Sequence, residues 1–158
     1  MGLDYLDVYL IHFPIPLKFV PIEHRYPPEW IYDPHSAEPK LEPDTTGVTY
    51  QQTYEAMETL VHKGLVNDIG CSNMGTSMLR QVLQYSSVKP SILQVEIHPF
   101  CTQKNLMRYC RESGVHVMAY SNLGAASYID IGMATLEDSC LSPQLVKDIA
   151  AKYEKSAG

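Results

Sequence analysis

The chain has 158 residues, the size of one ordinary domain with room for a buried core. Apolar residues make up 45% and charged residues 19%, a globular composition that excludes a disordered polyelectrolyte. Lys and Arg total 12 against 18 Asp and Glu; the net charge of −6 argues against a general nucleic-acid or anionic-membrane binder and allows at most a local phosphate pocket.

The predicted elements follow in chain order. Tyr5-Leu-Asp-Val-Tyr-Leu-Ile-His12, apolar, β-branched and bounded by Pro14, reads as a buried strand. The stretch from Phe13 to about Val48 holds Pro14, Pro16, Pro21, Pro27, Pro28, Pro34, Pro39 and Pro43, so it is neither helix nor central strand. Its aromatics Phe19, Tyr26, Trp30 and Tyr32 predict an ordered flap. Tyr54, Met57, Leu60 and Val61 predict a helix over 50–63, ended by Gly64.

Val66 to Ser72 is a short strand. Asn73 or Thr76 is expected to cap a helix to about Tyr85, with Met78, Leu79, Val82 and Leu83 inward. Ser91 to Glu96 is the next strand. Thr102 is expected to cap a helix burying Leu106, Met107 and Cys110, ended near Gly114, and Val115 to Tyr120 is the fourth strand. Ser142-Pro143 reads as N-cap and N1 of a last helix packing Leu145, Val146, Ile149 and Tyr153. Strands alternating with single helices imply right-handed crossovers, a parallel sheet and one α/β unit.

No apolar run approaches the ~20 residues that span a bilayer, and no basic-then-apolar leader pattern is present. Cys71, Cys101, Cys110 and Cys140 show no C-x-x-C spacing, which reads as reduced thiols in the cytosol. A zinc site from His98 and these cysteines lacks ligand spacing, so no metal is expected.

Each apolar strand finishes in polar or aromatic residues: His12, Ser72-Asn73, Gln94 with Glu96-x-His98, and Tyr120-Ser121. Parallel strands put all four ends on one face, where α/β folds build their sites. Each ending also has a structural reading: a satisfied histidine, a helix cap, a Gln94 that serves a backbone group, a Glu96–His98 pair that supports the rim, a core Tyr120.

At these endings the sequence resembles the aldo-keto reductases, barrel enzymes that use a nicotinamide cofactor. Leu3-Asp-Tyr-Leu-Asp-Val-Tyr-Leu-Ile-His-Phe-Pro14 is similar to the family's fourth strand, and Glu55-Ala-Met-Glu58, Gly64-Leu-Val66 and Ile69-Gly-Cys-Ser-Asn73 to its fourth helix and fifth strand. Gln94-Val-Glu-Ile-His-Pro-Phe100 and Ala119-Tyr-Ser-Asn-Leu-Gly124 resemble the sixth and seventh. His12-Phe-Pro-Ile15, Lys18-Phe-Val-Pro21 and Arg25-Tyr-Pro-Pro28 look most like the xylose reductase branch. The implied fold is a partial TIM barrel, with about half of the eight strands, in a single partial domain over 1–158.

The resemblance implies NADPH, with NADH as the alternative, and an aldehyde or sugar substrate. His12 matches the histidine that orients the substrate carbonyl, where an N–H donor stabilises charge developing on oxygen. Phe13 matches a wall of the substrate pocket, to which Trp30 adds. Ser72, Asn73 and Gln94 match residues bonded to the nicotinamide carboxamide, and Tyr120 the ring stacked on the nicotinamide. Ser121, Asn122, Leu123 and Gly124 match the loop over the pyrophosphate, with Ser127 and Asp130 further along it.

Cys71, Met74 and Asn122 depart from the residues usual at their places; proline is common where Asn122 stands. No stretch matches those bearing the family's proton-donating tyrosine, its aspartate and its lysine, nor the eighth strand and the grip on the 2′-phosphate. The chain therefore reads as the central part of such an enzyme, expected to be inactive alone. The alternative is a non-catalytic half-barrel associating with another chain, or with itself, through open sheet edges.

Overall fold

Thr49 opens the first helix with a capping box: its hydroxyl accepts the Gln52 N–H at 3.2 Å, and Gln52 Oε1 accepts the Thr49 N–H at 2.8 Å. The structure, a computed structural model, describes residues 2–17, 43, 44, 47–124, 126–129, 132 and 134–158, with backbone alone at 126 and 127. The order is β1 (Leu6–Ile11), α1 (Tyr50–His62), β2 (Val66–Ser72), α2 (Thr76–Tyr85), β3 (Ile92–Glu96), α3 (Lys104–Glu112), β4 (His116–Tyr120), α4 (Ala126–Ile129), a 3₁₀ turn (Leu136–Asp138) and α5 (Gln144–Lys152). The chain divides into two compact units, Met1–Pro90 and Ser91–Gly158.

In the first unit β1 and β2 pair in parallel, Leu6 opposite Val66 and Ile11 opposite Cys71. The crossover ends where Gly64 takes φ +69°, a left-handed conformation that glycine adopts without strain, and Leu65 N–H returns to Leu60 O at 3.0 Å. The core gathers Tyr54 and Met57 of α1, Ile69 and Cys71 of β2, and Leu79 and Val82 of α2. Glu58 is only 8% exposed. Its Oε1 accepts the Ser87 and Val88 N–H groups at 2.7 and 2.9 Å, and Tyr54 Oη donates to Val88 O at 3.0 Å.

In the second unit β3 and β4 pair in parallel, Ile92 opposite His116 and Glu96 opposite Tyr120. Leu93 and Val95 are buried with Leu106 and Cys110 of α3 and with Val115.

Several expectations need correction. β1 forms as a strand, but it is not buried: Tyr9 is 45% exposed, and Tyr5 and Val8 are also exposed. β2 covers one edge of β1, and α1 packs against β2. Neither Asn73 nor Thr76 caps α2, because extended Gly75 holds the N-cap place. Thr102 does not cap α3; left-handed Gln103 stands there. Pro143, with ψ 135°, is the N-cap of α5 instead of its first turn, so the helix starts one residue later. Leu145 is 69% exposed, and Ile149 and Tyr153 are exposed as well; of the expected packing stripe of α5 only Val146 is half-buried. The short α4 and the 3₁₀ turn were not foreseen in the sequence. Most of the proline-rich stretch and Trp30 lie outside the described residues; at its ends Leu17 bridges Pro43, and Asp44 N–H reaches Pro16 O at 2.9 Å.

Candidate active-site residues at the strand ends

β1 delivers His12 and Phe13 just past its C-terminal end, and beside them β2 ends at Ser72, with Asn73 directly after it. The His12 and Phe13 rings stack at 4.3 Å with 28° between their planes. Asn73 takes φ 56°, which asparagine tolerates better than most residues, and its Nδ2 donates to His12 O at 2.9 Å. That bond ties down the backbone carrying His12 and leaves its imidazole exposed. Ser72 is 1% exposed, so its hydroxyl is part of the interior.

Behind these ends lies an aromatic cluster, with Tyr54 6.5 Å from Tyr50 and 6.2 Å from Tyr85. Burial raises all three phenols, Tyr85 to about 12, with Cys71 adding to each shift. Burial also pushes the Cys71 thiol up to about 11, opposed by its contact with Tyr50. Such a thiol is inert, which suits a packing role.

In the second unit Gln94 and Met118 are cross-strand partners, and Gln94 Nε2 contacts Met118 Sδ at 2.8 Å. Tyr120 is half-buried; burial raises its phenol, and Glu96, Tyr128 and Cys101 raise it further. Ser121 has φ 52° and Gly124 φ +78°. A Cβ on Gly124 would lie 2.9 Å from Cys140 Sγ and 3.0 Å from Asp138 O, so glycine is required there. Asn122 Nδ2 donates to Ile97 O at 3.3 Å, and Leu123 O accepts the Cys140 N–H at 3.1 Å. The loop Ser121–Gly124 is thus tied down on both sides.

Two groups carry more than the sequence reading gave them. Glu96 and His98 pair at 2.9 Å and line a cavity of about 620 Å³ with Phe100, Tyr128 and Glu137. Their i, i+2 spacing at a strand end is the signal for that pairing. Met118 is the cross-strand neighbour of Gln94, a pairing that only the register reveals. Asp130 and the side chain of Ser127 lie outside the described residues. Among the described residues no group of three metal-ligating side chains occurs, and no helix is long and apolar enough to cross a membrane.

The aldo/keto reductase family model matches residues 1–132. The chain belongs to that family. The probable NAD(P)H-dependent D-xylose reductase of Emericella nidulans is 40% identical over 157 residues, covering 98% of this chain and 47% of that protein. The NAD(P)H-dependent D-xylose reductase of Aspergillus niger is 39% identical with the same coverages. Aldose reductase from Giardia lamblia superposes with a TM-score of 0.77 at 29% identity, covering 98% of this chain and 45% of that one. The Bombyx mori aldo-keto reductase in complex with NADP gives 0.72 at 30% identity, covering 99% and 43%. The chain spans about half the length of the curated relatives it matches. Its four strands, alternating with helices, form part of an aldo-keto reductase barrel.

Proposed function

We propose that this chain carries the carbonyl-orienting and nicotinamide-side residues of an NAD(P)H-dependent aldo-keto reductase acting on aldehydes or sugar aldehydes in the cytoplasm, and that its two units belong to one partial domain. The observation that carries the reading is the 2.9 Å bond from Asn73 to the His12 carbonyl. It joins the ends of two parallel strands and leaves the His12 ring exposed.

The side chains fit a nicotinamide carboxamide in kind, since that group offers one acceptor and two donors. Asn73 would meet it through Oδ1, its Nδ2 being held by His12 O; Ser72, which the resemblance also assigns to the carboxamide, is buried. Gln94 Nε2 rests on a thioether, a weak acceptor that a carbonyl oxygen readily replaces. The half-buried Tyr120 supplies a flat ring for stacking. Ser121, Asn122, Leu123 and Gly124 form the tethered loop assigned to the pyrophosphate, with Ser127 and Asp130 beyond it. When bound, the reduced nicotinamide supplies the hydride. His12 presents an imidazole N–H to the substrate carbonyl and stabilises negative charge on its oxygen, while Phe13 and Trp30 shape the pocket.

No described residue takes the place of the family's tyrosine acid with its lysine, so the 158-residue chain alone is expected to turn over no aldehyde. The test follows NADPH consumption with a reactive aldehyde beside His12→Ala, and NADPH binding by fluorescence beside Tyr120→Ala. Binding lost in Tyr120→Ala supports the cofactor reading. Equal weak quenching in both chains would overturn it, and steady turnover abolished by His12→Ala would overturn the expected inactivity.

A second reading, association through an open edge without catalysis, is favoured by the exposure of Val8 and Tyr9 in β1 and of Tyr5 just before it.

A further inference from the structure

We propose that His98 is a positioning residue for the loop Ser121–Gly124, acting through the turn that follows β3; the inference rests on the reading of that loop as a cofactor loop. The His98 side chain is only 10% exposed, and both ring nitrogens are engaged. Nδ1 lies 3.2 Å from the Phe100 N–H. A backbone N–H can be received only by an unprotonated nitrogen, so the ring proton sits on Nε2 and is donated to Glu96 Oε1 at 2.9 Å. The imidazole therefore clamps the end of β3 on one side and the next turn on the other.

The clamp closes a tight turn. His98 N–H reaches Cys101 O at 3.1 Å, and Cys101 N–H returns to His98 O at 2.8 Å. The Phe100 ring stands edge-on to the imidazole at 6.2 Å. Ile97 is the residue between the two clamped positions, and its backbone groups bond to the last residue of β4 and to the loop after it. Its N–H donates to Tyr120 O at 3.2 Å, and its carbonyl accepts Asn122 Nδ2 at 3.3 Å. Whatever sets the Ile97 peptide planes therefore sets the point from which the loop departs.

That loop needs an anchor. Ser121 occupies a left-handed conformation that is strained for a residue other than glycine. The far end is pinned by Leu123 O to Cys140 N–H and by the lack of room around Gly124. The near end is held by Tyr120 O and Asn122, both on Ile97. Where the resemblance expects proline, Asn122 replaces a fixed φ with a side-chain bond. The Asn122 side chain is thus assigned to holding the loop in place.

The experiment uses the ¹⁵N-labelled 158-residue chain and reads the Asn122 side-chain amide, the Phe100 backbone amide and hydrogen exchange across Ser121–Gly124. His98→Ala is expected to shift both signals and to speed loop exchange about tenfold, the loss of roughly one anchoring bond. His98→Asn places an acceptor near Nδ1 and should restore most of the protection, which a bulk packing role would not predict. Should His98→Ala fail to fold, Asn122→Ala decides: the proposal requires faster loop exchange with the Phe100 amide unmoved. Loop exchange unchanged in His98→Ala or in Asn122→Ala overturns it. Titration with NADPH then adds a cycle, in which the two variants each weaken binding about fivefold and are not additive together. Absence of NADPH binding by the wild type would sink the cofactor reading, and the exchange data would still decide the positioning role.

Discussion

Asn73 Nδ2 donates to the His12 carbonyl at 2.9 Å, so the end of β2 holds the backbone that presents the imidazole at the end of β1. Asn73 does this from a left-handed conformation, φ 56°. Asn73→Ala removes the bond and keeps the backbone strain; Asn73→Gly removes both. The expected losses in urea unfolding are about 2 kcal/mol for Ala and about 1 kcal/mol for Gly. Equal losses would mean that the conformation contributes nothing.

Glu58 makes a second long-range tie, from α1 to the loop after α2. One oxygen, Oε1, accepts both the Ser87 and the Val88 N–H groups. Glu58→Ala should cost about 2 kcal/mol, because it leaves two amides without their acceptor in a partly buried site. Glu58→Gln keeps a carbonyl oxygen in the same place, and its cost should be about half as large. Thermal or urea melts of the two variants, read by circular dichroism, check the ranking. A Gln variant as unstable as Ala would show that the charge, not the acceptor, is what matters.

How far these ties were legible in the sequence differs by element. The order of strands and helices follows from apolar runs and from Gly64 and Gly114, and the structure keeps it. Burial did not follow from the same pattern. The run Tyr5 to His12 is as apolar as a core strand, yet exposure depends on what covers β1, which a local pattern does not contain. The caps at Asn73 and Thr102 failed for a related reason: both residue types can cap, but the helices begin later, with extended Gly75 and left-handed Gln103 in that place. Placement of His12 and Asn73 at adjoining strand ends was readable from the alternation alone. The Met118–Gln94 contact was not, because it depends on the β3–β4 register.

The buried thiol and phenols give a pH dependence of definite sign. Burial raises Cys71 from 9.0 to about 11 and Tyr85 from 10.0 to about 12. Between pH 9 and 11 the unfolded chain releases protons that the folded chain keeps, so the unfolded state binds fewer and stability falls as pH rises. Below about pH 8 these groups are protonated in both states and stability should be flat with respect to them. Urea midpoints at pH 8, 9 and 10.5 test this, with Cys71→Ala as the control that flattens part of the slope. Cys71 should also resist a thiol reagent at pH 8 until the chain unfolds.

The exposure of β1 on both of its faces makes the last prediction. Tyr5, Val8 and Tyr9 present apolar surface on a strand whose pairing partner is β2 on one side. A strand edge with unpaired N–H and C=O groups beside apolar side chains is a template for another strand, and lysine on such an edge opposes pairing through charge and hydration. The 158-residue chain is therefore expected to sediment as a species larger than a monomer at micromolar concentration. Val8→Lys with Tyr9→Lys should move it toward monomer, because the two positions put one charge on each face of the strand. A control pair at Leu145 and Ile149 of α5, which are also exposed, separates edge pairing from general stickiness. Association lost with the α5 pair and kept with the β1 pair would place the contact on the helix and remove the strand edge from the account. Sedimentation equilibrium of the three chains, at two concentrations each, distinguishes these results.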